Sequence, residues 1–159
     1  MIRLGVLAFL ALAAAAPAGA QQIPSEVVDA FHKALATNNT KGALALLSRD
    51  LVVFEFGVMD PSLQTYAFAH LPLDMNVAYG TDWELQLRRM GGTGDVRWVI
   101  SNYHVTGTAK DGTAINQTQL ETAILEKVGN DFKISHIHWS NPPGAYIPPP
   151  VPGTPPPAK

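Results

Sequence analysis

Asp131-Phe132-Lys133-Ile134-Ser135-His136-Ile137-His138-Trp139-Ser140 is the stretch on which the reading of this fold turns. With strand periodicity, Phe132, Ile134, His136, His138 and Ser140 share one face, and Lys133, Ser135, Ile137 and Trp139 share the other. Two imidazoles and a hydroxyl occupy positions where a plain core strand would carry Val or Leu. The alternation predicts that this polar face turns inward and lines a cavity, with Phe132 and Ile134 opposite Ile137 and Trp139.

Working back from that strand, Gly129-Asn130-Asp131 is a hairpin signal, and so is Lys110-Asp111-Gly112. They separate long β-type runs at 95–107 and 114–128, and Gly91-Gly92-Thr93-Gly94 separates these from another run at 83–90. The four segments are expected to form an antiparallel meander. Leu51-Val52-Val53-Phe54-Glu55-Phe56-Gly57 reads as an earlier strand. Before it, Val27, Val28, Phe31, Ala34 and Leu35 recur at helical spacing behind a Ser25 cap, and Thr40 opens a short second helix. His32 neighbours the apolar stripe at the solvent boundary and receives no role. Asp60-Pro61 signals a third helix carrying Tyr66, His70 and Leu71, which Pro72 interrupts or restarts. Helices first and a curved antiparallel sheet after them make an α+β domain, expected over 21–141.

The ends read differently. Arg3, an apolar run from Leu4 to Ala16 and Ala18-Gly19-Ala20 form a signal peptide over 1–20, so the mature chain is expected outside the cytoplasm, secreted or periplasmic. The apolar run is shorter than the ~20 residues that span a bilayer, which predicts no membrane attachment after cleavage. Residues 142–159 contain nine prolines and read as a proline-rich disordered tail. The chain has no Cys, hence no disulfides. Losing Arg3 with the leader takes the formal charge from −2 to −3, without runs of either sign. That excludes a nucleic-acid footprint and favours a small-molecule ligand. Apolar side chains fall on both faces of the sheet: Val96, Trp98 and Ile100 on one, Val99, Tyr103 and Val105 on the other. Helices cover one face, and a homodimer through the sheet is the expected cover for the other.

The order helix, short helix, strand, helix and long meander, closing on W/F-x-x-x-H-x-H-x-S (here Phe132 to Ser140), resembles the nuclear transport factor 2-like (SnoaL-like) superfamily. The same H-x-H-x-S ending is similar to the association domain of the calcium/calmodulin-dependent protein kinases. His70-Leu71-Pro72-Leu73-Asp74-Met75 resembles the H-L-x-x-D-M stretch of exported bacterial members that carry an uncharacterised domain. The resemblance spans residues 23 to 141. It implies a cone-shaped fold, a bent sheet wrapped round N-terminal helices, with a pocket at the open end. Tyr66, His70 and Asp74 from the third helix, and His136, His138 and Ser140 from the last strand, would look into that pocket.

The expected function is therefore that of an exported cone-fold protein whose His/Asp-lined pocket binds a small molecule, without catalysis being required. In the catalytic alternative, an isomerase or dehydratase, His70, Asp74 and His138 supply an acid–base pair. Tyr66 or Tyr103 would then hydrogen-bond a developing enolate, and His136 and Ser140 would contact ligand. This departs from the ketosteroid isomerases, whose Asp base and Tyr–Asp oxyanion hole find no matching positions here. His136 and His138 with His70 and Asp74 could also ligate a divalent ion, but H-x-H on a strand has no diagnostic spacing. The site is accordingly read with no metal and no cofactor. The remaining alternative is an oligomerisation module tethered by its tail.

Overall fold

The computed structural model describes residues 22–109 and 112–144. The expected signal peptide lies outside them, as does all but 142–144 of the expected tail. The elements run α1 (Pro24–Ala36), α2 (Thr40–Leu46), β1 (Leu47–Glu55), β2 (Val58–Asp60), α3 (Leu63–Ala69), α4 (Leu71–Tyr79), β3 (Thr81–Gly91), β4 (Val96–Thr108), β5 (Ala114–Val128) and β6 (Asp131–Ser140). A single curved sheet has the order β2-β1-β6-β5-β4-β3. The meander from β3 to β6 is antiparallel, as the turn signals predicted. It is completed by β1, which pairs parallel to β6, so the six-stranded sheet is mixed. Pairing between strands so distant in sequence leaves no local signal.

The helices begin where backbone donors find acceptors. Pro24 sits in the first turn of α1 behind Ile23, without a side-chain cap, and Asn39 rather than Thr40 caps α2 through Gly42 N–H. Ser62, not Asp60, caps α3, in a reciprocal capping box with Thr65. Pro72 restarts the chain as α4 after a break at His70. The predicted stripe of α1, Val27, Val28, Phe31, Ala34 and Leu35, is wholly buried. It packs on the inner face of the sheet with Val99, Leu125, Phe132 and Ile134.

The final strand does not follow simple alternation. Leu125 pairs with Ile134 and Ile124 with His136, leaving Ser135 as an extra residue in β6. Such a bulge rotates everything beyond it by one side-chain step. Phe132 and Ile134 before it, and Ile137 and Trp139 after it, all point into the core at 5 % exposure or less. Trp139 stacks on Phe31 of α1 at 6.4 Å between ring centroids. His136, His138 and Ser140 are thereby turned to the outer face, which corrects the expectation that they line the cavity. The physical reason is burial: each large apolar side chain taken inward contributes roughly 1.5–3 kcal/mol.

Deleting Ser135 would restore plain alternation and send Ile137 and Trp139 outward. The expected loss is about 4 kcal/mol or more, seen as loss of a cooperative urea transition. His138→Ala should cost within about 0.5 kcal/mol. A deletion variant as stable as the parent would show that the bulge does not set the register.

Candidate functional site

Between α1, α4 and the inner face of the sheet lies a narrow pocket of about 470 Å³, counting its open mouth. Its walls are apolar: Leu35, Val77, Trp83, Val105 and Trp139, with Phe56 beside them. Phe56 and Gly57 form the two-residue loop joining β1 to β2, both at positive φ, 49° and 77°. Gly adopts that conformation freely, whereas for Phe56 it is strained by about 1 kcal/mol. The strain holds an aromatic ring at the pocket.

Two carboxyl groups, Glu55 and Asp74, and the amides of Gln117, Gln119 and Asn141 interrupt the apolar lining. Glu55 ends β1 at the inward parity of Leu51 and Val53, and Asp74 lies in the first turn of α4. Tyr66 OH, fully buried, donates to Asp74 Oδ2 at 2.6 Å. Neither oxygen of Glu55 meets an N–H or neutral O–H donor among the described residues. Its hydrogen-bond neighbour is the other carboxyl, Asp74. Two anions cannot share that space, so one proton lies between them. Burial, and then the charge of Asp74, push the Glu55 carboxyl well above its ordinary range. Burial also raises Asp74, to about 7, although the Tyr66 and Glu55 hydrogen bonds draw it back. Glu55 is thus the neutral donor, and Asp74 the anion holding two hydrogen bonds.

Behind this pair, away from the pocket lining, His70 Nδ1 lies 2.5 Å from Asp60 Oδ2 and 3.8 Å from Glu55 Oε1. The Asp60 hydrogen bond raises the His70 pKa against the opposing effect of burial. Glu55, Asp60 and His70 bring donor atoms within 4.8 Å of one another. Asp60 and His70 are nevertheless too close to be co-ligands, since bonds of about 2.1 Å to a divalent ion hold adjacent ligands roughly 3 Å apart. They are hydrogen-bonded to each other instead.

A second polar group crosses from α1 to the sheet. Glu121, 2 % exposed, accepts from Trp139 Nε1 and pairs with His32 Nε2, both at 2.7 Å. Burial pushes its carboxyl up, but the charge and hydrogen bond of His32, the indole N–H and Arg88 outweigh it. Glu121 is held below the ordinary range. Arg88 also donates to Tyr103 OH at 2.7 Å and bridges to Asp29 at 2.8 Å. Burial first of all pushes the Tyr103 pKa to about 12, so it remains a phenol.

The residues expected at the site are thus divided among three places. Tyr66 and Asp74 meet at the pocket, with His70 behind them. Tyr103 belongs to the Arg88–Glu121 group. His136, His138 and Ser140 share no interior cavity with the others: His136 bonds Val52 O at 3.0 Å, and both imidazoles stand edge-on to Phe54 on the outer face. His138 and Ser140 border a separate hollow that shares Phe56, Trp139 and Asn141 with the pocket rim. The proposed four-residue ligand set for a metal is therefore not assembled. Sequence reasoning passed over Glu55, Asp60, His32 and Glu121. Glu55 and Glu121 carried a usable signal, a carboxylate at the buried parity of an apolar strand. Asp60, followed by Pro61, has the sequence signature of a helix cap, which hides its pairing with His70.

A family profile for the SnoaL-like domain matches residues 25–144, and the chain belongs to that family. Among solved structures, a candidate ketosteroid isomerase from Shewanella frigidimarina is 31 % identical, with a TM-score of 0.68. The match covers 72 % of this chain and 92 % of that one. A candidate dehydratase of the NTF2-like family from Streptomyces avermitilis has the same fold at 15 % identity and TM-score 0.62, over 76 % and 94 % of the two chains. So does the calcium/calmodulin-dependent kinase II hub of S. rosetta, at 23 % and 0.62, over 80 % and 100 %. No curated protein sequence matches the chain.

The charge states fix a pH dependence. Glu55, Asp74 and His70 have raised folded pKa values, so their contribution to stability is full at low pH and is lost as pH rises through those values. Glu121, lowered, contributes above its unfolded value and loses that contribution as pH falls. Melting temperature should therefore peak near pH 4–5, where Glu121 is ionised while Glu55 and Asp74 have barely begun to lose their contribution, and fall by about 4–10 °C towards pH 9, with a smaller fall in Asp74→Asn. A wild-type melting temperature that stays level or climbs above pH 7 would contradict the shared proton.

Proposed function

We propose that the chain binds a small, uncharged, largely apolar carbonyl compound in the Trp83–Trp139 pocket and relocates a proton on it, as an isomerase or dehydratase does. The observation that carries this is the Glu55–Asp74 pair, a neutral acid beside an anion, set in a mostly apolar wall whose other polar members are the uncharged amides of Gln117, Gln119 and Asn141. The Asp74 carboxylate, poised near neutrality, takes a proton from the carbon next to the carbonyl. The Glu55 O–H stabilises charge developing on the carbonyl oxygen. The proton held by Asp74 then returns to a different carbon. Among the described residues the pocket lining includes no Lys, Arg or His, so a carboxylate ligand would meet negative charge unbalanced. Resemblance to the candidate ketosteroid isomerase at 31 % identity supports the same reaction class.

A direct test uses 3-cyclohexen-1-one, whose conversion to the conjugated 2-cyclohexen-1-one is followed by ultraviolet absorbance. Wild type should convert it, and Asp74→Asn and Glu55→Gln should each lower the rate by about 10²-fold or more. Thermal protection by the ketone without conversion would leave a binding protein and remove the catalytic half. Conversion unchanged in both variants would dispose of the assignment.

The outer sheet face supports a second copy as partner. Leu87, Trp98, Ile100 and Leu120 are 37 to 53 % exposed there, around His136 and His138. Apolar area of this extent in water favours a symmetric dimer. The leader at 1–20 is our ground for proposing export. Protein recovered from a periplasmic fraction should begin at Gln21 and scatter light as a dimer, with Ile100→Asp returning it to a monomer. A full-length cytoplasmic chain would count against export, and a wild-type monomer against the dimer.

A further inference from the structure

The isomerase reading uses the carboxyl end of the pocket and leaves its amides without a task. Gln117 and Gln119 stand on β5 at the inward parity of Ile115, Glu121 and Ala123, and Gln119 is 6 % exposed. A strand that only closed a core would carry Val or Leu there, because a buried amide is costly unless it is partnered. Asn141, the residue after β6, donates from Nδ2 to Gln119 Oε1. Gln119 Nε2 and Asn141 Oδ1 meet no hydrogen-bond partner among the described residues, and neither is enclosed without one. Both residues line the pocket, so the pair offers it one donor and one acceptor side by side.

The sheet register sets this pair apart from the carboxyl groups. Phe54 pairs with His138 and Trp139 with Glu121, so Glu55 is level with Glu121, two strands away. Gln119 lies one inward-facing step beyond Glu121. That is about 10 Å across the strands and about 7 Å along them, or about 12 Å between Cα atoms before the curvature of the sheet draws them together. Trp139 stands on the strand between and lines the pocket. The pocket is therefore polar at two ends and apolar in the middle.

We propose that the Gln119–Asn141 amide pair determines specificity, and that the ligand is a ketone carrying a hydroxyl at the end opposite its carbonyl. A hydroxyl donates and accepts at once, so it matches the pair: its oxygen accepts from Gln119 Nε2 while its proton goes to Asn141 Oδ1. A second carbonyl would use only the donor, and an alkyl end would use neither. With the hydroxyl fixed there, the carbonyl is delivered to Glu55 and its neighbouring carbon to Asp74. An apolar wall alone would accept the ligand in either direction. The same amides discriminate against a ligand without the hydroxyl, since they would give up water and gain nothing in return.

The inference rests on the isomerase reading for the end that the carbonyl occupies, and its test is binding rather than turnover. The probes are 4-(2-hydroxyethyl)cyclohexanone and 4-propylcyclohexanone, which share a shape and differ by hydroxyl against methyl. Neither has a double bond to move. Tryptophan fluorescence of the full chain reads their binding, since Trp83 and Trp139 line the pocket. Wild type should bind the hydroxy ketone about fivefold or more tightly than the propyl ketone. In Gln119→Leu that preference should vanish or reverse, with the propyl ketone bound at least as tightly as before. Asn141→Ala should lower the preference as well, and carries the test if Gln119→Leu does not fold. Each preference is a ratio within one variant, so a general loosening of the pocket cancels. A wild-type preference of one or less, or a preference unchanged in the variants, would overturn the inference and leave conversion of 3-cyclohexen-1-one untouched. Binding of neither ketone would overturn it too. The expected preferences without conversion of the cyclohexenone would remove the isomerase and keep the amide end as the selective part of a binding pocket.

Discussion

One extra residue in the last strand governs the arrangement of this domain. Without the bulge at Ser135, a period-two strand could bury Phe132 and Ile134 or Ile137 and Trp139, but not both pairs. With it, all four enter the core, and the indole of Trp139 reaches both α1 and Glu121. The same step turns His136 and His138 outward. The imidazoles that look like a site in the sequence are displaced to the sheet face by the packing of their neighbours.

The interior thereby gains a Trp and an Ile and must still accommodate Glu55, Asp74 and Glu121. It does so in two ways. Glu121 stays ionised, because His32 and the Trp139 indole bond its Oε2 and the charge of Arg88 adds to them, although Oε1 meets no donor among the described residues. Glu55 and Asp74 have a phenol and each other, so they hold a proton in common. A low-dielectric core makes both solutions stringent, since any unmatched charge there is costly. The two groups stand on the same inner face in opposite protonation states, and this contrast makes one a structural tie and leaves the other a pair that holds an exchangeable proton.

Membership of the SnoaL-like family accounts for the frame, and the fold hosts many activities, so chemistry has to be argued from the side chains in the pocket. Here local irregularities place them. The left-handed Phe56-Gly57 turn folds β2 back so that Asp60 reaches His70. The helix break at His70 frees its ring from α3 while Pro72 resumes the helix that presents Asp74.

Apart from β2, the element order, the buried stripe of α1, the strand limits of the meander and the restart at Pro72 were all legible in the sequence, because each depends on side-chain periodicity or turn chemistry within a few residues. Tyr66 and Asp74 could be picked out because a helix with one break still keeps them near each other. The facing of β6, the parallel β1–β6 pairing and the partners of Glu55, Asp60, His32 and Glu121 belong to the tertiary structure alone. A bulge is a compromise between strands that only meet on folding, and a buried carboxylate acquires its charge state from neighbours up to 89 positions away along the chain. Local pattern determined which segments form. The competition to bury Ile137 and Trp139 decided which side chains face the pocket.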